Sequence, residues 1–486
     1  MPSVAIKSFG CRVNQAEAFA WADELGREGW RLETACPERA DVVIVNSCTL
    51  TARADRDVFK FVRKAGRENP RARIIVTGCL AERAAAELGR LPGVAFVAGN
   101  KEKDTLARKA LELAGKDLSS AGETAVSDVS ADEADPDKDA VRHGPEDDTA
   151  FRSRAVLKVQ DGCGMRCTYC IIPAVRGPNH SIPIENIVSC VASLADRGFN
   201  EVVLAGIHLS SYGADLEPRV SLANLIEAVG KLDWPGWLRL TSLDPRLTGP
   251  ELVSRVAADP KVAQHFHLSL QHASERVLRR MGRGGGPEHY SGLLRRFREL
   301  SPWAALGADV IVGFPGETEE DFRELRDFLA HSPLTYFHVF SYSPRRGTPA
   351  AGLEQVRDEV KAERSRMLRK LSAEKSLAFR RSLIGRDLRG IVIRRGVRPA
   401  GKHAGPAPTG GPGEGLTVPG AERGRLSEVL TENYVRVMAA GDCPPERSMV
   451  SVRLTGVRAG LNEGVISGEL PGAERTGGRP GAAAGI

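Results

Sequence analysis

The chain has no apolar run near the ~20 residues that a membrane-spanning helix requires. Its first residues, Met1-Pro2-Ser3-Val4-Ala5-Ile6-Lys7, lack the apolar stretch of a secretory signal. Both absences point to the cytoplasm and away from any membrane. Nine cysteines, an odd number, argue against a disulfide framework there. No solenoid-like repeat is present. Nor is there a strong overall charge: 68 Lys and Arg against 62 Asp and Glu leave +6. That small figure hides an uneven distribution. Residues 376–486 hold 16 basic against 10 acidic residues, so they carry the whole surplus and residues 1–375 sum to zero. A basic terminal module suits an anionic partner such as RNA, or it is simply a solvated surface.

The 486 residues exceed one ordinary core and suggest about three domains. Over residues 1–116, short Val/Ile-rich runs (Val4–Phe9, Asp41–Asn46, Arg73–Thr77) alternate with helical stretches near 17–28, 54–66 and 81–89. Such runs read as parallel strands buried on both faces, hence an open α/β domain. Residues 117–150 carry 11 acidic residues against Lys138 and Arg142, with little that is apolar. They read as a disordered acidic linker. A longer alternation fills 151–375. Its candidate strands are Ala155–Gln160, Glu201–Gly206, Trp237–Thr241, Phe266–Leu270, Ala308–Gly313 and Tyr336–Ser341, with helices between them. Six strand–helix units predict an incomplete (βα)6 barrel. A charged helix over 358–381 follows, then short strands within 376–470 that suggest a small antiparallel β-barrel. A Gly/Pro-rich stretch, 399–415, reads as a loop inside it, and 471–486 as a flexible tail.

The cysteines are unevenly placed. Cys163, Cys167 and Cys170 lie within eight residues, directly after the first barrel strand. Three thiolates there can converge on one soft-metal centre, and both zinc and iron–sulfur clusters accept such ligands. Three rather than four leaves a coordination position open, as catalytic metal sites do. Cys11, Cys48 and Cys79 each follow a strand of the first domain. Open α/β sheets bind ligands beyond the carboxyl ends of their strands, so these thiols can share a second cluster, or be buried structural residues. Cys36, Cys190 and Cys443 stand alone and read as structural.

Cys-x3-Cys-x2-Cys after the first barrel strand resembles the radical S-adenosylmethionine superfamily. With the early cysteines, and with Phe9-Gly10-Cys11-Arg12-Val13-Asn14-Gln15, Ile171-Ile172-Pro173-Ala174-Val175-Arg176-Gly177 and Gly313-Phe314-Pro315-Gly316-Glu317-Thr318, the chain resembles the methylthiotransferases. The resemblance implies two 4Fe–4S clusters, on Cys163, Cys167 and Cys170 as the catalytic set and on Cys11, Cys48 and Cys79. It implies an S-adenosylmethionine pocket at Tyr169, Gly206, Ser242, Gln271 and Val312, each of which otherwise packs a barrel layer. Arg176 meets an anionic group or forms a surface salt bridge. The terminal barrel resembles an OB-like TRAM domain, in which Tyr434 either stacks on a nucleotide or packs the core. An electron donor such as flavodoxin or ferredoxin is implied as well.

Within the family, Cys11–Gln15 and Leu430–Val437 look most like the branch that methylthiolates C2 of N6-threonylcarbamoyladenosine at position 37 of tRNA, in the anticodon loop. Isopentenyladenosine in tRNA and an aspartate of a ribosomal protein are the alternatives. A non-catalytic RNA-binding iron–sulfur or zinc protein is the alternative of another kind.

Overall fold

A computed structural model describes residues 1–33, 37–114, 125–126, 153–397, 426–441, 444–458 and 461–470. The loop at 399–415, the tail at 471–486, Cys36, Cys443 and nearly all of 117–150 lie outside the described residues. The N-terminal sheet contains β1 (Ser3–Ser8), β2 (Arg31–Leu32), β3 (Val42–Ser47), β4 (Arg73–Gly78), β5 (Val94–Val97) and β6 (Ala125–Val126). All pairs are parallel, in the order β2-β1-β3-β4-β5-β6. Side chains alternate between faces along a strand. Ala5, Val43, Val45, Ile74 and Val76 therefore pack under α2 (Ala52–Glu68) and α3 (Cys79–Gly89). Val4, Val42, Ile44 and Ile75 pack under α1 (Arg12–Arg27) and α4 (Leu106–Ala114). Burial on both faces explains why the strands read as unbroken apolar runs. Strand β6 falls inside the stretch expected to be linker. Its two residues pair with Phe96 and Val97 at the sheet edge, too short a piece to show a period.

The second unit has six parallel strands in chain order: β7 (Ala155–Asp161), β9 (Glu201–Gly206), β10 (Trp237–Leu240), β11 (His265–Gln271), β12 (Ala305–Val312) and β13 (Tyr336–Ser341). A short β8 (His180–Ser181) pairs antiparallel with the end of β7. Bridges Leu238↔Val262 and Leu243↔Leu268 join the two triplets of strands. Six strands leave the barrel open, and α1 of the first unit covers part of its inner wall. Val13 and Ala16 of α1 pack on Val156, Val203 and Ala205, while Val202 and Leu204 face the outer helices.

The C-terminal unit is a closed barrel of β14 (Asp387–Val397), β15 (Leu426–Thr431), β16 (Arg436–Ala440), β17 (Met449–Arg458) and β18 (Leu461–Glu469), in the order β14-β15-β16-β18-β17. The expectation of a purely antiparallel barrel needs one correction, because β16 and β18 run parallel. A ring of five strands cannot alternate direction all the way round. This barrel caps the amino ends of the central strands. Ile391 and Met449 pack on Trp237 and Ala263, and the Arg447 guanidinium lies 3.9 Å from the centre of the Phe199 ring.

Candidate functional site

Strands β1, β3 and β4 are neighbours, and their carboxyl ends deliver the three early cysteines to one edge. Cys11 caps the start of α1, Cys48 follows β3 directly and Cys79 opens α3. Ser47 stands opposite Gly78 in the β3–β4 ladder, so Cys48 and Cys79 leave the sheet side by side. Gly10 has φ +91°, and a Cβ there would lie 2.5 Å from Cys48 Sγ. Only glycine lets the first loop fold down onto the second. Burial pushes the Cys48 thiol up to about 12 and the Cys11 thiol up as well.

Cys163, Cys167 and Cys170 line one cavity at the carboxyl end of the central strands, beside Leu50 and Thr51 from the first unit. The two cysteine sets thus belong to one neighbourhood: Cys79 packs against Ile171 and Val175, just beyond Cys170. Burial pushes Cys170 up to about 12 and raises Cys163 too. Arg283, buried behind them, points its guanidinium at Cys167 Sγ (3.8 Å) and donates to the Ser269 carbonyl (2.7 Å) and to Asp244 (3.2 Å). Burial alone would raise the Asp244 pKa. Hydrogen bonds with Arg246 and His208, plus the Arg283 charge, outweigh it and hold the carboxyl below the usual range.

Arg176 is neither exposed nor in a surface salt bridge. It ends α5 (Ile172–Arg176), and its side chain is 1 % exposed. Its guanidinium spans the two units, donating to Asp161 (2.8 Å), to Glu17 of α1 (3.1 Å) and to Cys79 Sγ (3.2 Å). Burial works against this charge, and the two carboxylates overcome it.

Of the five pocket residues expected from the resemblance, Tyr169 and Gln271 line the cavity. Gln271 does so with φ +69°, at an irregularity in β11. Gly206, Ser242 and Val312 are not in the lining. On β12, Asp309 and Ile311 face inward, and the alternation turns Val312 outward into the core with Val310. Gly206 sits behind the cavity, close to Gln160, which accepts from the His208 backbone (2.8 Å). Asp309, His208, Arg246 and Arg283 line the cavity too without having stood out in the sequence, although β11 carries polar residues at every second position (His265, His267, Ser269, Gln271).

A polar chain with no signal in the sequence motifs also runs through the barrel interior. His267 Nε2 lies 3.0 Å from Asp309, and Tyr336 Oη lies 3.0 Å from His267 Nδ1 and 2.6 Å from His265 Nε2. The Tyr434 ring, from the C-terminal barrel, stacks on His265 at 4.5 Å, and its hydroxyl meets Arg12 at 2.9 Å. Tyr434 is thus an interior residue at a contact of all three units.

The thiol sets fit iron–sulfur clusters in donor chemistry. Each offers three soft ligands on a partly apolar wall, and within each set the sulfurs are near enough that charge on two of them raises the pKa of the third, Cys48 in one set and Cys170 in the other. Among the described residues, no three His, Cys, Asp or Glu side chains close on a position for a single metal ion. A cluster asks for a wider spread, since each thiolate takes a different iron. Among the described residues no helix is long and apolar enough to cross a membrane.

Residues 3–99 match the family model described as uncharacterized protein family UPF0004, and residues 157–329 match that of the radical SAM superfamily. The chain is 36 % identical over 395 residues to the threonylcarbamoyladenosine tRNA methylthiotransferase MtaB of Aquifex aeolicus, covering 80 % of this chain and 92 % of that one. It is also 36 % identical over 416 residues to the ribosomal protein uS12 methylthiotransferase RimO of an Anaeromyxobacter strain, covering 83 % and 85 %. Among solved structures, the radical S-adenosylmethionine methyltransferase TsrM of Kitasatospora setae superposes with a TM-score of 0.52 at 15 % identity, over 72 % of this chain and 74 % of that one, a likeness of fold. The chain belongs to the radical S-adenosylmethionine methylthiotransferases, enzymes that transfer a sulfur-containing group with S-adenosylmethionine and two 4Fe–4S clusters.

Proposed function

We propose that the protein methylthiolates C2 of N6-threonylcarbamoyladenosine at position 37 of tRNA. Equal identity to MtaB and RimO relatives leaves the substrate to be argued from the chain itself. The observation that carries the choice of RNA is the positive surplus, confined to residues 376–486. That module, a TRAM-like barrel in this reading, holds phosphates, and such contacts position a nucleic acid without reading its sequence. The barrel caps the amino ends of the central strands, about 20 Å from the cavity by strand length, so the substrate has to be large enough to touch both. A folded tRNA is. An anticodon-loop base leaves its stack at small cost, and exposed Phe340 and Leu50 rim the cavity as an apolar seat for it.

In this reading Cys163, Cys167 and Cys170 hold the catalytic cluster, and Cys11, Cys48 and Cys79 hold the second. When bound, the first would supply the electron that splits S-adenosylmethionine into methionine and a 5′-deoxyadenosyl radical, and the second would hold the sulfur that is transferred. Tyr169 and Gln271 contact S-adenosylmethionine. Gly206 and Val312 support the pocket from behind its wall. Asp244 and Arg283 brace that wall, while Ile171 and Ile172 keep water from the space between the two cysteine sets. A small carrier such as flavodoxin or ferredoxin delivers electrons in the cytoplasm.

Two measurements test this. Anaerobic reconstitution is expected to load about eight irons per chain and to release 5′-deoxyadenosine only with reductant, and Cys163→Ala to load about four and release none. Nucleoside mass spectrometry of tRNA from cells lacking the protein is expected to show loss of the methylthio group from threonylcarbamoyladenosine. Its persistence, with no second enzyme of this kind present, would refute the substrate, and a mass shift in uS12 would name the other one.

A further inference from the structure

We infer that Arg176 is a positioning residue for the N-terminal cluster: bonded to Cys79, it raises that cluster's reduction potential above that of the barrel cluster and fixes the two cysteine sets against each other. The inference rests on the cluster ligation proposed above and not on the choice of substrate.

Three observations carry it. The first is reach. Arg176 Nε donates to Cys79 Sγ at 3.2 Å, and its Nη2 donates to Asn14 Oδ1. That same Asn14 oxygen lies 3.6 Å from Cys11 Sγ, and Asn14 Nδ2 donates to the carbonyls of Phe9 (2.8 Å) and Ser47 (3.0 Å), the latter one residue before Cys48. One guanidinium, with one amide, therefore touches all three N-terminal cysteine loops. On its own side, Arg176 lies six residues beyond Cys170, and the next carbonyl, that of Gly177, accepts from the Cys163 backbone at 3.0 Å. The link between the cysteine sets is short and rigid.

The second is charge. Around Arg176 lie buried Lys103 and Glu17, partly buried Lys158 and Asp161, and Asp104, whose carboxylate also acts on Lys158. Cations and carboxylates balance in number there, and Arg176 is the cation that touches a thiol. A buried positive charge and a hydrogen bond to a ligand sulfur both favour the more negative, reduced state of a cluster. The third is asymmetry. Around the barrel cysteines the corresponding contact, Arg283 to Cys167, is 3.8 Å long against 3.2 Å for Arg176 to Cys79.

The asymmetry has a use in sulfur transfer. If the N-terminal cluster held by Cys11, Cys48 and Cys79 carries the group to be transferred, forming the new carbon–sulfur bond with a carbon radical would leave one electron of the broken bond on that cluster. A higher potential on the sulfur-bearing side favours that outcome.

The test is a redox titration followed by electron paramagnetic resonance on the reconstituted full chain without RNA. Replacing Cys163, Cys167 and Cys170 together by alanine isolates the N-terminal signal. In that background, Arg176→Gln is expected to lower the midpoint potential and Glu17→Gln, which unmasks the cations, to raise it. In the two-cluster protein, Arg176→Gln is expected to leave the barrel cluster's potential unchanged. Full iron loading with no shift, or equal shifts at both clusters, would overturn the inference. If Arg176→Gln fails to load, Glu17→Gln decides alone: an upward shift supports the inference and an unmoved potential overturns it. Wild-type protein that holds about four irons instead of about eight would sink the ligation itself, and the inference with it.

Discussion

Phe340 and Glu201 show how single side chains divide the work. Phe340 is 41 % exposed at the rim of the cavity, beside exposed Leu50. Stacking of a base on an aromatic ring is worth about 1–3 kcal/mol, so Phe340→Ala should raise KM for tRNA by roughly tenfold or more. Reductive cleavage of S-adenosylmethionine without tRNA should not change, and parallel steady-state assays would show it. Glu201 is fully buried between Arg239 (2.7 Å) and Arg154 (3.4 Å), and accepts from Trp237 Nε1 (2.8 Å). Burial alone would raise its pKa; the arginines and the indole outweigh it and bring it from 4.5 down to about 2. A carboxyl with a depressed folded value adds stability in full above its unfolded value, and loses it as pH falls toward the folded one. Here the window runs from about pH 4.5 down to about 2, and the full contribution is on the order of 3 kcal/mol. Glu201→Gln should therefore lower the urea midpoint at pH 7 and flatten its decline on the acid side. A wild-type midpoint in that variant would count against the pairing.

At the scale of elements, strand ends decide the chemistry. The β1 loop can reach the β3 loop because Gly10 offers no side chain. Gly10→Ala should cost the N-terminal cluster and spare the other: about four irons, 5′-deoxyadenosine still released, no methylthio product. Iron analysis beside product analysis checks this. Gly307 plays the matching part inside the barrel, where a Cβ would lie 2.3 Å from Tyr336 Cζ. The run Gly313–Thr318, one of the family-like stretches, turns out to be scaffolding. Glu317 is buried, accepts from the backbone of Gly313 (2.7 Å) and Phe314 (3.1 Å), and pairs with Arg364 (2.7 Å) on the helix Asp358–Ser382. That pairing ties the last helix to the end of β12.

For the whole molecule, the arrangement of the three units matters most. The N-terminal sheet brings its cysteines to the cavity side of the central barrel, and the C-terminal barrel closes the opposite end. If that end carries the phosphates, tRNA affinity should fall steeply between 50 and 200 mM salt, in proportion to the phosphates contacted. Cleavage of S-adenosylmethionine in the absence of RNA should be far less sensitive. Filter binding and a 5′-deoxyadenosine assay over the same salt series separate the two, and salt-independent binding would point away from RNA.

Strands with both faces buried were legible from residues alone, because burial on both sides leaves long Val/Ile runs such as Val42–Val45. Pieces of two to five residues, such as β2, β6, β8 and α5, were not, since they are too short to show a period. The six family-like cysteines were legible because loop positions right after strands have few packing reasons to be cysteine. Tertiary structure alone decided the partners. Arg176 reads from sequence as meeting an anionic group or as a surface salt bridge, and it is α1 and α3 closing over it that bury it; Tyr434 reads as stacking on a nucleotide or packing the core, and it is the contact with His265 that places it inside. The early cysteines lie more than eighty residues in sequence from the late ones, and no local pattern records that their loops meet. The physical reason is that sequence spacing encodes periodicity within an element, whereas contact between units depends on which buried faces fit together.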